Sequence, residues 1–211
     1  ICRKVARRIV GRGSENELTI RVTSENIHKL LGTRKFNQRR LEDIDQVGQV
    51  KGLAVTPWGG DMLDIEVAVV PGKGKLILTG RLGDWLKESA QAAFSYIRSR
   101  SASLGLDKDF HEKFDFHVHY PGNSLKTDGP SAGIAMATAM VSALTGHPVR
   151  RDIAMTGEIS LRGRVLTIGG LKEKSLAAQR YGVAQVLIPE GNEKDRPDLP
   201  KAVVDNVEIT S

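Results

Sequence analysis

The sequence has little sulfur and no long apolar segment. Cys2 is the single cysteine among 211 residues, so both an intramolecular disulfide and a cysteine-rich metal site are excluded. One cysteine fits a reducing compartment such as cytoplasm. No apolar run approaches the roughly 20 residues needed to span a bilayer, so we expect no membrane partner. The chain begins with Ile rather than Met, which indicates a piece of a longer protein.

Aromatic residues are also scarce, at 5% of the chain. Phe36 alone among them falls in the basic first 40 residues, which hold eleven Lys or Arg against three Asp or Glu. Such a segment could contact nucleic acid, although a groove for single strands would also need aromatic side chains. A solvated helix face is the simpler explanation. A non-catalytic assembly or nucleic-acid-binding module is the alternative function.

The shift in charge divides the chain. Residues 1–36 read as a helix, a short strand at 18–22 and a second helix beginning near Ser24. Residues 37–46 are polar and look like a linker, and 47–211 form the main domain. Within that domain several strands follow one another between helices, which favours an α+β fold with mixed small sheets and packed helices.

The most informative segment reads TDGPSAG at 127–133. Asp128 can cap a helix, Pro130 suits the first helical turn, and Ser131 then falls in that turn. Unpaired backbone N–H groups at a helix start can stabilise an oxyanion beside a nucleophile. Two alternatives stay open at this point. Ser131 could be part of a cap, or the helix start could bind an anion or nucleotide.

No histidine partner is available for this serine. The letters GPSAG match G-x-S-x-G, but that hydrolase elbow needs an apolar strand directly before the serine, and SLKTD stands there. The only histidine after Ser131 is His147, with no acidic residue between the two. A P-loop pattern is also absent. If Ser131 is a nucleophile, another type of side chain must be its base.

Lys174 lies on the apolar stripe of the helix predicted at 171–181. At about 100° per residue, it shares an arc with Leu171, Ala177, Ala178 and Tyr181. Burial disfavours an ammonium and lowers the pKa of a lysine, and a neutral lysine can deprotonate a hydroxyl. The alternative is that the stem packs on apolar surface while the ammonium reaches water.

With Ser131 and Lys174 singled out, the sequence resembles the bacterial Lon protease family. The resemblance follows the family's order through most of residues 47–190. It is carried by five stretches: GLAVTPWGGDMLDIE (52–66), PGKGKLILTGRLGDWLKESAQAA (71–93), FHVHYP (116–121), TDGPSAGIAMATAMVSALTGHPVR (127–150) and MTGEISLRGRVLTIGGLKEKSLAA (155–178).

The resemblance implies a Lon-type proteolytic fold with a serine–lysine dyad, in which Ser131 is the nucleophile and Lys174 the general base. It implies that Thr156 orients the lysine. Four other residues would line, support or shape the site: His117, His119, Glu66 and Asp128. Two histidines on one strand face could suggest a metal, but no third ligand has suitable spacing, so we expect none.

The resemblance also implies what surrounds this domain. Residues 1–36 resemble the end of the small helical subdomain of an AAA+ ATPase module. ATP and magnesium would bind elsewhere in that module, so no cofactor is expected in this chain. The implied substrates are unfolded or damaged polypeptides, the implied assembly is a hexamer in the bacterial cytoplasm, and any DNA binding would lie elsewhere. The loop 121–127 departs from the family pattern.

Overall fold

The computed structural model describes residues 1–11, 21–32, 44–121 and 128–211. It divides into two compact units, Ile1–Arg39 and Arg40–Ser211. Among its described residues the first unit contains two helices, α1 (Cys2–Val10) and α2 (Ile27–Leu31). The strand predicted at 18–22, the linker predicted at 37–46 and the loop 121–127 fall largely outside the described residues, so those expectations stay predictions.

The second unit contains both strands and helices, with runs of consecutive strands between the helices. Its strands are β1 (Gln49–Thr56), β2 (Gly59–Pro71), β3 (Leu76–Thr79), β4 (Phe114–His119), β5 (Ile153–Met155), β6 (Glu158–Ile159), β7 (Val165–Leu166), β8 (Gln185–Leu187) and β9 (Glu208–Thr210). Its α-helices are α3 (Asp84–Ser99), α4 (Phe110–Lys113), α5 (Gly133–Thr145), α6 (Leu171–Tyr181) and α7 (Lys201–Val204). The described part of this unit also contains three 3₁₀ segments: Ser101–Leu104, Pro130–Ala132 and Glu190–Asp198.

Seven of these strands form one mixed sheet in the order β3-β4-β2-β1-β5-β8-β9, and β6 pairs with β7 in a separate hairpin. The β1–β2 and β2–β4 pairs are antiparallel, whereas β1–β5, β5–β8 and β8–β9 are parallel. Because β5 lies beside β1 in the sheet, the residues that follow β5 lie next to elements that are distant in the sequence. The predicted α+β class is confirmed.

Each face of the large sheet carries its own apolar cluster. On one face α5 packs against β1 and β2, and α3 packs against α5, with Phe116 and Met136 fully buried in the cluster. On the other face α6 packs against β1 and β2, with Leu53 and Met62 in the cluster. The small residues of α5, such as Ala139, are buried, which allows close packing on the sheet.

Phe116 lies at the centre of an aromatic group on the first face. Its ring centroid lies 4.8 Å from that of Phe94 and 5.9 Å from that of Phe110. Phe116→Ala should lower the free energy of unfolding by about 3–5 kcal/mol, because it leaves a cavity in a close-packed core. Urea unfolding measures this loss. Trp58→Ala is the control, since Trp58 is 87% exposed, and an equal loss there would contradict the burial argument.

Candidate active site

Ser131 lies in the 3₁₀ turn Pro130–Ala132, directly before α5. Its carbonyl oxygen accepts hydrogen bonds from Gly157 N at 2.7 Å and from Thr156 Oγ1 at 3.2 Å. The sequence predicted that Ser131 falls in the first turn of the α-helix, but the α-helix begins two residues later, at Gly133. The reason is that the Ser131 carbonyl pairs with the segment after β5 instead of with α5.

Two glycines allow the close approach of this turn. Gly129 has a φ of +136°, a conformation that residues with a Cβ rarely adopt. A Cβ on Gly133 would lie 2.9 Å from the backbone nitrogen of Ile159. The start of α5 therefore rests against β6 with no space for a side chain, and this contact holds Ser131 beside Thr156.

Lys174 is buried on α6, with only 2% of its surface exposed. Its Nζ donates a hydrogen bond to Thr156 Oγ1 at 3.0 Å. Burial lowers the pKa of Lys174 from its ordinary value of 10.5 to about 8. The predicted position on the buried stripe is confirmed, and the alternative that the ammonium reaches water is wrong because the side chain is enclosed.

Thr156 joins the lysine to the serine turn. This residue follows β5, is 1% exposed, and uses one hydroxyl to accept from Lys174 and to donate to the Ser131 carbonyl. The structure therefore brings Ser131, Thr156 and Lys174 together. In the described part of the chain the lysine hydrogen bond goes to Thr156, and none joins Lys174 Nζ to Ser131 Oγ.

The position of Asp128 in the sequence suggested that it caps the helix after Ser131. The structure shows that it does not cap α5. Its carboxylate lies at the start of α3, where Oδ1 is 3.4 Å from Leu86 N, and it also accepts from Gly129 N at 3.0 Å. A Cβ on Gly83 would lie 2.0 Å from the Asp128 Cγ. The free N–H groups of α3 compete for this carboxylate because a helix start attracts negative charge.

The remaining predicted residues lie together along β2 and β4. Thr79 Oγ1 is 2.8 Å from His117 Nε2 and 2.7 Å from His119 Nδ1, and Glu66 pairs with His119 across the strands. Glu66, His117 and His119 border an open groove of about 490 Å³. The structure shows no hydrogen bond from these three described residues to Ser131, so their role at the site stays a prediction.

An open groove of about 1350 Å³ borders Thr156. Its lining comes from several distant segments and is mostly apolar, with Ile134, Val165 and Ile188 among its residues. Sequence reasoning missed this groove, and no local pattern could have revealed it because sheet order alone brings those segments together. Over the same described ranges, no three His, Cys, Asp or Glu side chains are grouped to hold a metal ion.

The comparison with known proteins gives this geometry a context. The family model for the Lon protease (S16) C-terminal proteolytic domain matches residues 21–211.

The chain belongs to the Lon protease family. It is 57% identical over 203 residues to Lon protease 1 of Bacillus subtilis (strain 168), covering 96% of this chain and 26% of that protein. It is also 57% identical to the Lon protease of Bacillus thuringiensis (strain Al Hakam), over 98% of this chain and 26% of that relative. A third relative, the Lon protease of Haemophilus influenzae, is 52% identical over 99% of this chain and 26% of its own length.

The chain thus spans about a quarter of the length of the curated Lon proteases it matches. The matched part is the proteolytic domain of a protease family, which confirms the resemblance seen in the sequence. The division of the chain near residues 36 and 47 stays a prediction. Across the described residues, no helix combines the length and apolar character that a membrane span requires.

The burial of Lys174 predicts an unusual pH dependence of stability. Its pKa is lowered in the folded state, so the unfolded chain binds the proton more tightly between about pH 8 and 10.5. Lys174→Met should therefore stabilise the protein at pH 7, by at most roughly 3 kcal/mol. This advantage should shrink as the pH rises through that window, because the folded lysine loses its charge first.

Urea unfolding of wild type and Lys174→Met at pH 7, 8.5 and 10 measures the difference. Lys172→Met, on the exposed side of the same helix, controls for the loss of a lysine from α6. A difference between wild type and Lys174→Met that stays constant over this range would show that Lys174 is not desolvated.

Proposed function

We propose that this chain is the proteolytic module of an ATP-dependent serine endopeptidase, with Ser131 as nucleophile and Lys174 as general base. One observation supports this most strongly. A lysine that is 2% exposed, with its pKa lowered to about 8, is hydrogen bonded to the residue that also holds the backbone of Ser131. A buried lysine without such a partner would only destabilise the fold.

The acylation step follows from these groups. Neutral Lys174 accepts the proton of Ser131 Oγ as this oxygen attacks the carbonyl carbon of a peptide bond. The carbonyl oxygen takes up the electron pair, and backbone N–H groups of the Ser131 turn stabilise the resulting oxyanion. As the tetrahedral intermediate collapses, the Lys174 ammonium donates its proton to the leaving amine and the acyl-enzyme remains.

In deacylation Lys174 plays the same roles, with a water molecule as the nucleophile. Lys174, neutral again, accepts a proton from a water molecule that attacks the ester carbon. The second tetrahedral intermediate releases the carboxylic acid product and returns the proton to Ser131 Oγ. Thr156 orients the lysine amine in both halves of the reaction, because its hydroxyl bonds the amine while remaining attached to the serine turn.

The proposal extends to the whole protein. We place ATP and magnesium in the part of an AAA+ module that lies outside residues 1–211, and we expect residues 1–211 to bind no cofactor. The substrates are unfolded or damaged polypeptides, which enter a homohexameric ring in the bacterial cytoplasm. Support comes from the Lon relatives, in which the matched region is about a quarter of the chain. His117, His119, Glu66 and Asp128 support or shape the site, and any DNA binding belongs to other parts of the full-length protein.

A covalent probe tests the nucleophile and base directly. A fluorophosphonate should label the wild type once per chain, with a rate that rises through a midpoint near pH 8. Ser131→Ala should not be labelled, and Lys174→Ala should react more slowly by a factor on the order of 10³ or more. Intact-mass spectrometry across pH 6–10 follows the reaction.

Ser103→Ala is the control for this experiment, because Ser103 is an exposed serine in a different turn. It should be labelled like the wild type. Labelling of Ser131→Ala at the wild-type rate would overturn the assignment of the nucleophile, and an unchanged rate in Lys174→Ala would overturn that of the base.

The orienting role of Thr156 is tested by a matched pair of variants. Thr156→Val keeps the shape of the side chain but removes the hydroxyl that accepts from Lys174. It should slow acylation roughly tenfold to a hundredfold, because a small displacement of a catalytic group is costly. Thr156→Ser keeps the hydroxyl and should retain most of the rate. Equal rates for the two variants, measured with a peptide ester at pH 8, would contradict this role.

A further inference from the structure

Asn192 makes an unusual set of contacts for a residue outside the site described above. It lies in the 3₁₀ segment Glu190–Asp198 and is 1% exposed. Its Oδ1 accepts from Ile168 N at 3.0 Å, and its Nδ2 donates to Ile168 O at 2.9 Å. One side chain thus pairs both backbone polar groups of Ile168, which fixes the position and the orientation of that residue.

Asp195 determines which way the Asn192 amide faces. Its Oδ2 accepts a hydrogen bond from Asn192 Nδ2 at 2.6 Å. A carboxylate only accepts, so Nδ2 must face Asp195 and Oδ1 must face the N–H of Ile168. Both amide hydrogens and the amide oxygen are therefore used, as a buried amide requires. The arrangement holds Ile168 in one geometry.

Ile168 leads directly into α6. Two glycines follow it, and Gly170 has a φ of +68° and accepts the first hydrogen bond of the helix from Lys174 N at 3.0 Å. A Cβ on Gly169 would meet nothing within 4 Å, so packing does not restrain that residue. A Cβ on Gly170 would lie 2.5 Å from Val55 Cγ2, so β1 confines Gly170, and the direction in which the chain enters Gly169 depends on how Ile168 is held.

The opposite side of the helix start is already closely packed. A Cβ on Gly60 would lie 1.9 Å from the carbonyl oxygen of Glu173, so the β1–β2 hairpin touches the backbone of α6 there. Asn192 supplies the restraint on the other side through Ile168. Lys174 lies in the first turn between these two contacts, with its amine 3.0 Å from Thr156 Oγ1.

We propose that Asn192 is a positioning residue for Lys174. By holding both backbone groups of Ile168, it fixes the start of α6 and so places the lysine amine beside Thr156. This inference rests on the proposed function in treating Lys174 as the general base. Asn192 itself contacts neither Lys174 nor Ser131 through a hydrogen bond, and it acts through the backbone of residues 168–170.

Four variants test the role of Asn192. Asn192→Ala removes the three side-chain hydrogen bonds, and Asp195→Ala removes only the group that orients the amide. Asn206→Ala is the matched control, because the exposed Asn206 bonds a single carbonyl, that of Ala202. Phe116→Leu is the control for a general loss of stability without a change at α6, because Phe116 lies in the apolar cluster on the face of the sheet opposite α6.

Two measurements are made on each variant. The first is the rate of fluorophosphonate labelling against pH, corrected for the folded fraction. The second is an NMR titration of the Lys174 side chain, which does not depend on catalysis. Asn192→Ala should slow labelling at pH 8 about tenfold or more. It should also raise the Lys174 midpoint by about half a pH unit or more, because a loosened helix start admits water to the amine.

Asp195→Ala should change both quantities in the same direction by less, and it decides the question if Asn192→Ala does not fold. Asn206→Ala and Phe116→Leu should leave the Lys174 midpoint unchanged. If the Asn192 and Asp195 variants keep the wild-type midpoint and rate, the positioning role is wrong.

The two proposals fail in different ways. Wild-type protein that is labelled at Ser131, with no change in the Lys174 midpoint in the Asn192 variant, supports the proposed function and overturns the positioning role. Wild-type protein that is never labelled, with a midpoint that still rises in the Asn192 variant, overturns the function and supports the positioning of the Lys174 amine.

Discussion

The burial of one amine is the constraint on which the rest of the site depends. Lys174 is enclosed between the sheet and its own helix, and its polar contact is the hydroxyl of Thr156. Enclosing an ammonium in the protein interior costs free energy, so the pKa of Lys174 lies well below the ordinary pKa of a lysine. The same burial that weakens the fold brings the pKa of the amine to about 8, which suits the proposed role of general base.

Because the amine is buried, the groups around it must be held in fixed positions. Thr156 must hold both the amine and the turn of Ser131, and it can do so because β5 ends at the place where α5 and α6 begin. Glycines at both helix starts remove side chains that would keep these backbones apart. The family supplies the reaction class, and the proposed lysine base fits a serine for which the described residues show no hydrogen bond to a histidine.

Much of the site could be predicted from the sequence because its signals are local. Helical periodicity placed Lys174 on a stripe of α6 that is buried in the structure. The start of α5 was predicted two residues too early, because the Ser131 carbonyl bonds to Gly157, 26 residues away. The contact between the Asp128 carboxylate and Leu86 N at the start of α3 was missed for a similar reason, because these two residues are 42 positions apart in the sequence.

What the sequence by itself determined is the set of groups and their local settings: a serine at a helix start, a lysine on an apolar face, and no histidine to serve as base. Only the tertiary structure decided how these groups meet. Thr156 reaches Ser131 and Lys174 across separations of 25 and 18 residues, and Asn192 reaches Ile168 across 24. Such contacts follow from sheet order, because the insertion of β5 between β1 and β8 depends on the packing of the whole domain and on no local pattern.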